Sequence, residues 1–113
     1  MNAGIEKRRH PRIPLKWPVM LMTPQGPIMG VTCNISVGGA LIFYSETIET
    51  EGEFQVILKS SGDHELPITC KKVWSDKIVA DNSEYNAIGL FFTKISSSIQ
   101  NFIGSLVAEY SLV

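Results

Sequence analysis

Short apolar runs separated by turn chemistry fill the chain from residue 15 to residue 93, and the period changes once after that. Leu15 to Thr23 is rich in large apolar residues and stops at Pro24-Gln25-Gly26-Pro27, a turn signal, after which Ile28 to Ile35 reads as a second strand of a β-hairpin. Gly38-Gly39 punctuates the path into a third strand, Ala40 to Tyr44, and Glu46 to Glu53 is a solvated acidic connection. Phe54, Val56 and Leu58 alternate inward on a fourth strand that ends at Lys59; Ser61-Gly62-Asp63 turns the chain, and Leu66 to Trp74 runs back. Asp76 to Asn86 is polar, with room for a short edge strand at Lys77-Ile78-Val79-Ala80, and Ala87 to Thr93 forms a last strand with Ile88, Leu90 and Phe92 on one side. Beyond Ser96 the apolar positions Ile99, Phe102, Ile103, Leu106, Val107 and Tyr110 fall at steps of three and four, which describes one face of an amphipathic helix over 96–111. Ser96, Ser97 or Ser98 can cap its start. Several short antiparallel strands followed by one such helix predict an all-β fold, a small β-barrel with the helix covering one opening.

At 113 residues, with 44% hydrophobic and 19% charged, the chain is expected to be one domain with a real core. The net charge of -1 hides an asymmetry: residues 1–45 carry five basic side chains and one acidic, residues 46–113 five basic and ten acidic. A pI near 6.1 argues against a duplex-DNA binder, whereas a small anionic ligand needs only a local basic cluster. Cys33 and Cys70 stand in no metal or redox spacing and read as reduced thiols, a disulfide between them being unsupported. His10 and His64 have no partner at ligand spacing, so no metal is expected. No apolar run approaches the roughly 18 residues of a span, and no secretory signal is visible, so the expectation is a cytoplasmic protein with no membrane insertion.

The chemistry sits in two short segments. Residues 1–14 lack either period, and Pro11 and Pro14 hold His10 and Ile13 extended, which makes this stretch a basic arm leading into a domain at 15–113. Along an extended arm Arg8 and Arg12 project to one side and Arg9 to the other, a clasp of guanidiniums suited to phosphate and to the Hoogsteen edge of guanine. The second segment, Asn34-Ile35-Ser36-Val37-Gly38-Gly39, offers polar side chains and glycines at a strand end. Each segment alone has a plainer reading, as a solvated tail and as ordinary turn chemistry.

Taken together, R-x-x-x-R as Arg8 to Arg12 and [D/N]-x-S-x-x-G as Asn34 to Gly39 resemble the PilZ domain, the bacterial receptor module for cyclic di-GMP. The Val73-Trp74 strand end, Ala87-Ile88-Gly89-Leu90-Phe91-Phe92 and the closing helix are also similar to the family. The resemblance implies a six- or seven-stranded barrel whose arm folds over a dinucleotide on its outer surface. It assigns Arg8, Arg9 and Arg12 to phosphates and guanine edges, and Asn34 and Ser36 to hydrogen bonds with guanine or phosphate. Gly38 and Gly39 would permit positive φ and a close backbone approach. Trp74 would pack on ribose or base, or serve simply as a barrel aromatic. Asn34 stands where many members have Asp, and an amide offers one acceptor oxygen where a carboxylate offers two.

No nucleophile, base and orienting group assemble from the sequence, so no enzymatic activity and no cofactor are expected. The function implied by the resemblance is ligand-driven ordering of the arm, read by an unidentified downstream protein controlling motility, pili, exopolysaccharide or secretion. The alternative is a PilZ-shaped protein-interaction adaptor that binds no nucleotide. A single-stranded DNA or RNA binder would interleave aromatic and basic residues on its strands, and Phe43, Phe54, Phe91 and Phe92 keep mainly apolar company. Monomer and homodimer both remain open, as do one ligand molecule or a stacked pair.

Overall fold

The structure, a computed structural model, describes residues 11–46, 51–60, 62 and 64–111. Six strands, β1 (Pro18–Thr23), β2 (Gly26–Ile35), β3 (Gly39–Tyr44), β4 (Glu53–Lys59), β5 (Glu65–Ala80) and β6 (Ser83–Lys94), precede one helix, α1 (Ser97–Ser111). They close into an antiparallel barrel in the order β1-β2-β3-β6-β5-β4, with β4 pairing back onto β1. Closure pairs each strand on both sides around the barrel wall and gives it one face to bury, while β5 beyond Lys71 has β6 alone as its described partner strand. The expected barrel with one C-terminal helix is therefore what forms, with six strands.

Period-two alternation puts Val19 and Leu21, Ile42 and Tyr44, Val56 and Leu58, Ile68 and Cys70, and Ile88, Leu90 and Phe92 into one core. Helix α1 covers an end of it with Ile103 and Val107, while Phe102 stacks on Trp17 with ring centroids 6.4 Å apart and planes 18° from parallel. Of the three candidate caps, Ser96 does the work: its Oγ accepts from Ile99 N at 3.2 Å and its carbonyl from Gln100 N at 2.9 Å.

The structure departs from the sequence reading by more than two residues in two places. β1 begins at Pro18, not Leu15, because Thr32, buried on β2, captures residues 15–17 by its side chain. Its Oγ1 accepts from Trp17 N at 2.8 Å and donates to Leu15 O. The polar stretch 76–86 is no connection with a separate edge strand: β5 runs on to Ala80 and turns through Asp81 and Asn82 directly into β6. Both turn residues have positive φ, 52° and 62°, as a two-residue hairpin turn matching the strand twist requires, and Asp and Asn tolerate it well. This hairpin extends past the core with solvent on both faces, so no burial selects an apolar alternation there. No described helix is long and apolar enough to cross a membrane.

Candidate functional site

The motif strand is shaped by a bulge. Thr32 pairs with Ile42 but Asn34 with Leu41, so Cys33 is an extra residue on β2. Thr32 and Ile35 both face the core, which strict alternation forbids; the bulge absorbs the odd residue and turns Asn34 outward between them. The Asn34 Oδ1 atom is nevertheless buried and has no hydrogen-bond donor among the described residues.

After Ile35 the chain makes a tight loop held by Ser36, which is 3% exposed. Ser36 Oγ accepts from Gly38 N at 3.1 Å and Gly39 N at 3.2 Å, and Ser36 N donates to Gly39 O at 2.9 Å. Phe92 N donates to Gly38 O at 2.9 Å and fastens the loop to β6. Neither Gly38 nor Gly39 has a positive φ, so the expectation that they serve by permitting one is corrected. At Gly39 the cause is steric: a Cβ there would lie 2.1 Å from the Leu90 carbonyl oxygen of the neighbouring strand.

The arm's last residues are tied to this loop. Ile13, 5% exposed, exchanges two backbone hydrogen bonds with Ile35, at 2.9 and 3.0 Å. The bridge sets Arg12 beside Ser36, and the two share a groove of about 370 Å³ with Gly38 and Gly39; Val73, Leu90 and Phe91 complete its described lining. Arg8 and Arg9 lie outside the described residues.

The PilZ domain family model matches residues 6–109. The chain belongs to the PilZ domain family. Its fold is shared with solved structures of low identity. Bacillus subtilis MotI/DgrA, an inhibitor of motility, is 15% identical with a TM-score of 0.77, over 94% of this chain and 52% of that one. The PilZ domain of Escherichia coli YcgR, solved with c-di-GMP, is 11% identical with a TM-score of 0.73, over 91% and 90%. Borreliella burgdorferi PlzA, also in complex with c-di-GMP, is 17% identical with a TM-score of 0.70, over 95% and 53%. The chain thus spans about half the length of MotI/DgrA and of PlzA. No curated protein matches the sequence.

Within this PilZ domain, Arg12, Ser36, Gly38 and Gly39 come together in the groove, while Asn34 and Trp74 do not line it. A second bulge, at Val73 on β5, pairs Lys72 with Leu90 but Trp74 with Gly89. The five-membered ring of Trp74 lies over Gly89, where a Cβ would meet Nε1 at 2.4 Å, and the indole stays 43% exposed. Gly89 and Phe91 share a side of β6, which sets Trp74 and Phe91 on the same outer surface. Phe91 and Val73 escaped the sequence reading as site residues. The parity of Ile88, Leu90 and Phe92 was the available signal for Phe91; a bulge such as that at Val73 leaves none.

A larger cavity, about 480 Å³, opens away from the motif between Lys16, Trp17, Lys59 and Glu65. Among the described residues it holds none of either motif, and its Lys59 and Glu65 pair with each other at 3.8 Å. Among the described residues no cluster of three or more His, Cys, Asp or Glu could hold a metal. Cys33 and Cys70 are both free thiols.

Proposed function

We propose that this PilZ domain is a cyclic di-GMP receptor that acts by binding and not by catalysis. The observation that carries the reading is the convergence of Arg12 with the Ser36–Gly39 loop in one outward groove. Asn34 Oδ1 adds to it, since a buried amide oxygen with no donor among the described residues suits an incoming N–H such as those on the Watson–Crick edge of guanine. In this reading Arg12 meets phosphate or a guanine edge, Ser36 holds the loop in its receiving shape, and the arm carrying Arg8 and Arg9 closes over the dinucleotide from the Ile13–Ile35 bridge. Trp74 flanks the ligand from Gly89. The closed arm then presents a new surface to a downstream protein.

Calorimetric titration of cyclic di-GMP into the folded protein tests this directly. Binding is expected, with a molar ratio that distinguishes one ligand from a stacked pair, and Arg12→Ala weakens it by about 1.5–3 kcal/mol. No heat at high micromolar ligand refutes the reading.

A second reading, an adaptor that meets protein partners without nucleotide, draws on an apolar depression of about 250 Å³ on the outer wall between Met29, Val31, Phe43 and Tyr85. Met29 is 53% exposed there. A purified partner bound equally with and without cyclic di-GMP, beside a null titration, would favour it.

A further inference from the structure

We propose that Phe91 is the base-stacking residue of the groove, giving it a preference for a planar aromatic ligand over a simple phosphate. The inference deepens the nucleotide reading and rests on it. Ile88, Leu90 and Phe92 are buried, so the ring of Phe91 points outward, and it is 49% exposed. A half-exposed phenyl ring needs no explanation where it stands alone. Here it does not stand alone.

Across one strand boundary Phe91 faces Gly39, which has no side chain, so its ring has no cross-strand neighbour on that side and borders the Ser36–Gly39 loop openly. Across the other boundary its register partner is Lys71, an exposed residue that puts a cation beside the ring. The β5 bulge pushes Val73 out to 64% exposure, and Val73 lines the groove next to Phe91. No ring–ring contact among the described residues engages Phe91.

The groove therefore brings the apolar side chains Phe91 and Val73 together with the cationic residue Arg12 in one lining. An inorganic anion would use the cation and leave the ring in water. A nucleotide uses both, its charge at Arg12 and the π-face of its base on the ring, and such stacking is sequence-tolerant and strong.

The test is calorimetry with cyclic di-GMP on the full chain and on Phe91→Leu, Phe91→Ala and Phe91→Tyr, with proton NMR of the guanine H8 signal. Leu keeps the apolar bulk at an exposed site and removes the ring. Stacking predicts about tenfold weaker binding for Leu and Ala and nearly unchanged binding for Tyr. It also predicts an upfield H8 shift with the parent chain that is lost with Phe91→Leu. If the parent chain binds and Phe91→Leu binds equally well with the same H8 shift, the stacking role is overturned while the receptor reading stands. If the parent chain does not bind, the receptor reading fails and this inference falls with it.

Discussion

Replacing Gly39 with Ala isolates the contact that shapes the motif loop. The added Cβ would sit 2.1 Å from the Leu90 carbonyl oxygen, well inside the 3.0 Å that real Cβ atoms respect. Since that oxygen is backbone in a paired strand, β3 and β6 must separate by about 1 Å to relieve the overlap. One hydrogen bond beside the contact, Phe92 N to Gly38 O at 2.9 Å, crosses that boundary, and an extra ångström takes it out of range, leaving a donor and an acceptor unpaired. Buried backbone groups left unpaired cost about 1–3 kcal/mol each, so the expected destabilisation is about 2–5 kcal/mol. A chain of this size has a stability of roughly 6–17 kcal/mol, so the variant still folds, with a Tm about 10–20 °C lower. Urea unfolding followed by tryptophan fluorescence measures it. Asn at the same position separates the two explanations for glycine. Asn tolerates positive φ better than Ala, so a conformational requirement would make Asn the milder change, whereas the steric one makes it at least as damaging. A loss under about 0.5 kcal/mol for Ala, or a clear rescue by Asn, refutes the argument.

Ser36→Ala removes the acceptor for two loop amides and is expected to cost about 2 kcal/mol. Hydrogen exchange should then accelerate at Gly38 and Gly39; unchanged protection there would contradict the role given to the hydroxyl. Burial, with a smaller contribution from nearby Glu53, pushes the Cys70 thiol up from 9.0 to about 12. The folded pKa is raised, so this stabilisation is complete below pH 9.0 and is lost as pH climbs toward about 12. Urea stability of the parent chain should therefore fall more steeply than that of Cys70→Ala between pH 9 and 10.5, and parallel curves would count against it. Tyr44, also raised by burial, acts in the same direction in both chains.

Much of the barrel could be read from local pattern. Val56 and Leu58, or Ile88, Leu90 and Phe92, declare an inward face because a half-buried strand must alternate, and Ile99, Ile103, Leu106 and Val107 declare a helix because steps of four and three mix odd and even positions, which one face of a strand cannot hold. The Asn34–Gly39 motif was likewise visible as a string of residue types. What failed was whatever depended on the neighbouring strand. The hairpin at 76–86 was missed because, beyond the core, neither face is buried and alternation has no cause. The start of β1 was misplaced because the Thr32 hydroxyl, fifteen residues on from Trp17, claims the segment before it.

By itself, then, the sequence determined the strands, the helix, the core residues and the chemical inventory of the motif, all of which follow from short-range periodicity and side-chain type. Only the tertiary structure decided where that inventory points. The bulges at Cys33 and Val73, the use of Gly39 to let Leu90 approach, the seat of Arg12 and the place of Phe91 opposite Gly39 all arise from which strand lies opposite which. That pairing is fixed by closing the barrel around one core, a global condition that no short window of residues contains.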